Sequence, residues 1–244
     1  VTGPAGGAPG GARPLAEATS PEIAAFHAPP VLAVPVGSVE QHGPHLPLGT
    51  DTALACALVD RLAAARADVV AAPPVWYGAS GEHEGFAGTL SIGHDALASL
   101  LVELVRSARA SFGGVVLVSG HGGNAEALQR AATRSNGEGD AVLAWLGHLR
   151  GADAHAGRSE TALMLAVAPG LVRSDSAVPG ALEPLAELLP RLRAEGVRAV
   201  SANGVLGDPR GATAGEGERL LDELAADLIG AVGRWRAPLV AAGR

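Results

Sequence analysis

With 244 residues, 48% of them hydrophobic, the chain can bury the core of one large α/β domain, and its net charge of −7 argues against nucleic acid or a membrane surface as partner. Every basic residue is arginine, so a Schiff-base lysine and a lysine-bearing phosphate loop are both excluded. Cys56 is the single cysteine, which allows no intrachain disulfide and no thiolate metal cluster and suits a reducing cytoplasm.

Residues 1–25, rich in Gly, Pro and Ala, read as a flexible leader without the apolar stretch of a signal peptide, ahead of a single domain over 26–240. The first buried strand is expected at "VLAVPV" (31–36), followed by a helix in which Leu54, Leu58 and Leu62 recur at i, i+4, i+8. A second strand is expected at 69–76. A helix follows over "HDALASLLVELVRSARASFG", stopped by Gly113 and Gly114. Strands at 115–120 and 141–147 come next, then a helix from about Glu160 to Val167. The last helix is expected from Thr213 to about Trp235, with Thr213 and Glu216 at capping-box spacing. Strands alternating with helices imply a three-layer α/β/α fold with a mainly parallel central sheet.

Chemistry-bearing side chains gather just past the expected strands. Glu40 and His42 follow the first strand two residues apart, so an extended backbone presents them on one face. That position is the carboxyl edge of a parallel sheet, where open α/β folds assemble their sites. Asp51, after a Pro-rich loop, reads alone as a helix-capping acid; beside Glu40 and His42 it also reads as a ligand for zinc, manganese or ferrous iron. His121 follows the third strand in "SGHGGNAEAL". Gly120, Gly122 and Ala125 there also fit the dinucleotide pattern G-x-G-x-x-A, the basis of a rival nicotinamide-dependent oxidoreductase reading. Against that reading, the next strand ends at His148 rather than at a ribose-binding acid. His155 and Glu160 stand at a helix entrance, where a solvated histidine and an acid favoured by the helix dipole are the plain alternatives. Ser80 lies in G-x-S-x-E, which misses the nucleophile elbow at Glu82.

Taken in order, "GSVEQHGPHLPLGTD", "GHGGN" and "HAGRSET" resemble the creatininase family of metal-dependent amidohydrolases over roughly residues 30–235. "YGASGEHEGFAGTLSIG" and "GVLGDPRGATAGEGERL" are most similar to the members that trim a modified precursor peptide. The resemblance implies a two-metal centre held by Glu40, His42, Asp51, His121 and Glu160, with Asp51 bridging and His155 and Glu160 serving the catalytic step. It implies a peptide substrate and a homo-oligomer. Other cyclic-amide hydrolases and formamide deformylases are the nearest alternatives. Creatinine hydrolases proper carry an acid two residues after the equivalent of His121; Gly123 stands here, which disfavours creatinine and leaves Glu160 to complete the ligand set. His45, Glu82, His83, Gly122, Gly123 and Asn124 are expected to contact substrate or support the ligands.

Overall fold

A computed structural model of the chain describes residues 14–149 and 151–241. Four parallel strands, β1 (Val31–Pro35), β2 (Val69–Ala71), β3 (Gly114–Ser119) and β4 (Val142–Leu146), form a sheet in the order β2-β1-β3-β4. The helices are α1 (Ser20–Ala24), α2 (Thr50–Ala65), α3 (Gly93–Ala108), α4 (Ala125–Gly137), α5 (Arg158–Val167), α6 (Leu185–Glu195), α7 (Val197–Val200) and α8 (Ala214–Ala241).

The period-two alternation of β1 divides the core. Val31 and Ala33 pack with α2, α5 and α8 on one face, while Leu32 and Val34 pack with α3 and α4 on the other. The result is the expected three-layer α/β/α sandwich, its strands buried on both faces as crossover connections require. The chain leaves β1 in one direction through α2 to β2, then crosses back through α3 to β3. Strand order therefore reverses between β1 and β3, and ligand crevices in open α/β sheets lie at the carboxyl ends of such a pair.

Several boundaries differ from expectation for local reasons. β2 ends at Ala71 because Pro73 and Pro74 offer no N–H to a ladder, although Val75 N still donates to Pro35 O at 2.9 Å. α8 continues past Trp235 to Ala241. Its capping box forms by half: Glu216 N donates to Thr213 Oγ1 at 3.2 Å, while the Glu216 carboxylate accepts from Arg158 Nε at 2.8 Å instead of turning back on Thr213. Of the leader expected over 1–25, residues 1–13 lie outside the described residues. At Leu15 the chain is anchored, its N–H donating to Ala71 O at 2.8 Å and its side chain packing on the α3/α4 core, while α1 buries no residue. Among the described residues no helix is long and apolar enough to cross a membrane.

Candidate metal centre

All four strands discharge toward one place. β1 runs into the segment carrying Glu40 and His42, and a Pro-rich loop then leads to Asp51 in the first turn of α2. The stretch after β2 contains a single turn of 3₁₀ helix, Gly81–His83, bringing in Glu82 and His83. β3 ends just before His121, and the stretch after β4 leads to His155 and to Glu160 in the first turn of α5.

The entrance of α5 shows how sequence fixes this geometry. Asp153 accepts from Ser159 N at 3.0 Å and from Arg158 N, so it satisfies donors of the first helical turn from outside the helix. Ala156 N donates to Glu160 Oε2 at 2.6 Å, which turns that carboxylate back over the loop. Ala156 itself is held at φ 51°, a left-handed conformation rare for alanine, and it is fully buried. His155, immediately before it, is thereby directed inward and is 7% exposed.

Glu40 and His42 are completely buried and Asp51 and His121 nearly so. Glu40 Oε2 lies 3.1 Å from His121 Nε2, and Glu40 Oε1 lies 3.2 Å from His83 Nε2. Asp51 faces both ways: Oδ1 is 3.5 Å from His42 Nε2, and Oδ2 is 3.5 Å from His121 Nδ1. Glu160 Oε2 is 3.9 Å from His42 Nε2 and 4.0 Å from His155 Nδ1. Asp51 does not cap α2, whose N-terminus carries no side-chain cap; its carboxylate instead accepts from Ser38 Oγ.

The hydrogen bonds assign the imidazole tautomers. His42 Nδ1–H donates to the carbonyl of Glu40 at 3.1 Å, which turns Nε2 toward Asp51 and Glu160. His155 Nε2–H donates to Gln41 O at 2.8 Å, turning Nδ1 toward Glu40 and Glu160. Gln41 Nε2 donates to His83 Nδ1 at 2.8 Å and to Gly204 O at 3.2 Å, which places the His83 proton on Nε2, beside Glu40. Gln41 thus sets two rings at once, and sequence inspection missed it because a glutamine between Glu40 and His42 carries no metal-ligand signal.

Burial pushes the Glu40 carboxyl up, as does the neighbouring Asp51 charge. Burial also opposes ionisation of Asp51, yet His42, His121 and the Ser38 hydrogen bond hold its carboxyl well below the usual range. Burial works against charged His42 and His121, but the surrounding carboxylates outweigh it and raise them to about 9 and about 10. Glu160 is raised to about 7, chiefly by burial. His155 is pushed well below its ordinary value by burial first, and then by the neighbouring His42 and His83.

His42 Nε2 is buried without a hydrogen bond, and the two buried Glu40 oxygens make none of good geometry, facing only the His121 and His83 nitrogens at 3.1 and 3.2 Å. Orphaned polar atoms of this kind are costly unless something else binds them. Three groups place one ligand atom per residue within 4.8 Å of one another: Glu40, Asp51 and His121; His42, Asp51 and Glu160; and Glu40, His42 and His155. Imidazole nitrogens with carboxylate oxygens suit divalent zinc, manganese or iron, so the residues present fit such ions.

The remaining expected residues separate by position. His83 belongs to the cluster through Glu40, and Glu82 Oε1 lies 3.7 Å from His121 Nε2 with its side chain one-third exposed. His45 stands behind the cluster, donating from Nε2 to Thr161 Oγ1 at 2.8 Å, because the Thr161 hydroxyl proton is already given to Gly157 O. Asn124 is fully buried and committed: its side chain accepts from Ala79 N at 2.9 Å and donates to Gly37 O at 2.9 Å and Ser119 Oγ at 3.2 Å. It ties three strand exits together. Gly122 has open space where a side chain would project, and Gly123 is tightly enclosed. His121 occupies the middle of the glycine-rich turn with its ring toward the carboxylates, so that turn builds this cluster. Cys56 is half-buried, and burial followed by the Asp60 charge pushes its thiol up to about 11.

Known proteins share this fold and much of this sequence. The sequence profile described as "Creatininase: Creatinine amidohydrolase" matches residues 16–232. A protein of Mycolicibacterium smegmatis named mycofactocin precursor peptide peptidase is 51% identical over 213 residues, covering 85% of this chain and 86% of the relative. Its namesake from Mycobacterium tuberculosis is 45% identical over 230 residues, covering 91% of each. Among solved structures, a creatinine amidohydrolase (creatininase) superposes with a TM-score of 0.74 at 27% identity, covering 92% of this chain and 97% of that one. A structure titled "Creatininase Mn" gives 0.73 at the same identity, covering 92% and 98%.

Proposed function

The chain belongs to the creatininase family, and from that premise we propose that it is a divalent-metal-dependent peptidase acting near the C-terminus of the modified mycofactocin precursor peptide, releasing the crosslinked Val-Tyr-derived unit. The observation that carries the proposal is the meeting of Glu40, His42, Asp51, His121 and Glu160 from distant segments, with the buried Glu40 carboxylate facing only histidine nitrogens and His42 Nε2 buried without a hydrogen bond. The substrate follows from the names of the relatives that are 45–51% identical over most of the chain.

In this reading Glu40, Asp51 and His121 would hold one ion and His42, Asp51 and Glu160 the other, Asp51 being common to both groups. Divalent cations held there would supply Lewis acidity, lowering the pKa of water toward neutrality and polarising a carbonyl. The chain's own residues supply the proton traffic. His155 is kept neutral at pH 7 and has Nδ1 free to take a proton from the attacking water and deliver it to the departing amine nitrogen. Gln41 keeps that nitrogen pointed at the cluster by accepting the Nε2 proton on its carbonyl. Zinc, manganese and ferrous iron all suit the donor set, and assembly into a homo-oligomer belongs to the same proposal.

The test is to incubate protein loaded with each metal in turn with the modified precursor peptide and, separately, with creatinine, and follow both by mass. The expected result is loss of the C-terminal unit from the peptide, abolished by a chelator and restored by metal, with creatinine unchanged. Cleavage indifferent to chelation, or turnover of creatinine in place of the peptide, overturns the proposal.

A further inference from the structure

Beside the cluster lies a cavity of about 290 Å³ that none of the proposed ligand or proton-transfer roles requires. Its walls come from the carboxyl end of β4 and from α2, α5 and α8, and its floor is aliphatic: Leu58, Leu163 and Leu224 are buried there. Leu146 and Leu185 line it while remaining 38% and 45% exposed, so apolar surface extends outward along the wall. At the other end it meets the candidate centre, because Glu160 and Gly122 are lining residues too. Gly122 leaves that end unobstructed, with no atom within 4 Å of where a β-carbon would sit.

A small, mostly apolar cavity with a few polar groups at one end is the usual form of a site for one bulky ligand group, and this one falls near the lower limit of the roughly 300–1,000 Å³ seen for small-molecule pockets. It is too small for a folded peptide segment and large enough for one branched or aromatic group. Its continuity with Glu160 places that group next to the bond being cleaved. The Asp153 carboxylate at its rim is engaged by the first-turn N–H groups of α5, so it is not a free partner for a substrate cation.

We propose that this cavity is the subsite for the leaving part of the peptide, accepting a branched or aromatic apolar group on the amine side of the scissile amide. The inference rests on the peptidase reading above and deepens it by naming what the leaving unit must present. A negatively charged group in the same place would lose its hydration against leucine side chains and face the Glu160 carboxylate. Substrate selection therefore comes from the cavity, while bond cleavage comes from the cluster beside it.

The test uses metal-loaded full-length protein and two peptide series. One varies the residue on the amine side of the scissile bond through Gly, Val, Leu, Tyr and Asp; the other makes the same changes on the acyl side. The expected result is a preference of at least about tenfold for Val, Leu or Tyr over Gly and Asp in the first series, and a flat response in the second. Ala152→Trp and Leu185→Asp change exposed lining positions, so folding is not at stake; each is expected to reduce the Tyr-to-Gly ratio at least about tenfold with metal content unchanged. A preference that follows the acyl side, or ratios that neither variant moves, overturns the subsite. Failure to cleave any peptide in either series is the distinct result that counts against the peptidase reading itself.

Discussion

Glu82 and Gly123 compete for one volume: a β-carbon at position 123 would stand 2.4 Å from Glu82 Oε1. It would also stand 2.4 Å from the carbonyl oxygen of Ala79 and 2.5 Å from His121 Nε2. The Glu82 carboxylate sits on a side chain that can swing away, but the Ala79 carbonyl is backbone and cannot. The glycine is thus what lets the segment after β2 close onto the turn after β3. Gly123→Ala is expected to destabilise the fold by about 1–3 kcal/mol through overpacking, lowering the melting temperature by several degrees, and to weaken metal retention by displacing the His121 ring. Calorimetry and metal analysis read both effects; wild-type values for each would show that the enclosure has no consequence.

Asp51 is the shared member of both proposed ligand sets. Asp51→Ala should therefore release both metals, whereas Glu160→Ala should release one. Elemental analysis of the purified variants distinguishes the cases. Full metal content in Asp51→Ala removes the bridging role.

His42 and His121 are raised by neighbouring carboxylates to about 9 and about 10, so protein stripped by a chelator carries both as imidazolium at neutral pH. Each must lose its proton before a ligand nitrogen is available. Filling both sites near pH 7 is expected to release on the order of two protons per chain, one from each histidine, measurable by titration in buffers of different ionisation enthalpy. The sign for stability follows. Because the folded pKa values exceed the ordinary 6.5, the stripped protein draws their full contribution below about pH 6.5 and loses it as pH rises through about 9 to 10. Melting temperatures of stripped protein should fall over that alkaline window, while metal-loaded protein should lack this component. Uptake without proton release would contradict the assignment of these histidines as ligands.

His155→Asn is expected to lower kcat by about 10² to 10⁴ with metal stoichiometry unchanged, since proton transfer is lost and the ligands are not. The same experiment addresses the grouping of Glu40, His42 and His155 as a third set of possible ligand atoms. Loss of one metal from His155→Asn would make His155 a ligand.

How much of this was legible in the sequence depended on the range of the signal. The strands of β1 and β3 and the helices α2 and α5 followed from local periodicity, and the ordered motifs located Glu40, His42, Asp51, His121, His155 and Glu160 before any geometry was known. What escaped depends on contacts between segments far apart in the chain. Gln41 matters because it reaches His83, Gly204 and the His155 ring, which nothing in its neighbours' identities announces. Asn124 reads as a polar loop residue until its amide is seen tying Gly37, Ala79 and Ser119 together. The φ of 51° at Ala156 could not be read at all, since alanine has no preference for it; the surrounding fold imposes it. The halved capping box at Thr213 has a similar origin, because Arg158 on another helix captures the Glu216 carboxylate.

The most direct measurement of the central claim is anomalous diffraction from crystals of metal-loaded protein, recorded on either side of the metal's absorption edge. The account predicts two peaks per chain, one bounded by Glu40, Asp51 and His121 and the other by His42, Asp51 and Glu160, with Asp51 contacting both. A single peak, or ions bound elsewhere while Glu40 and His42 stay buried without a ligand, would contradict it.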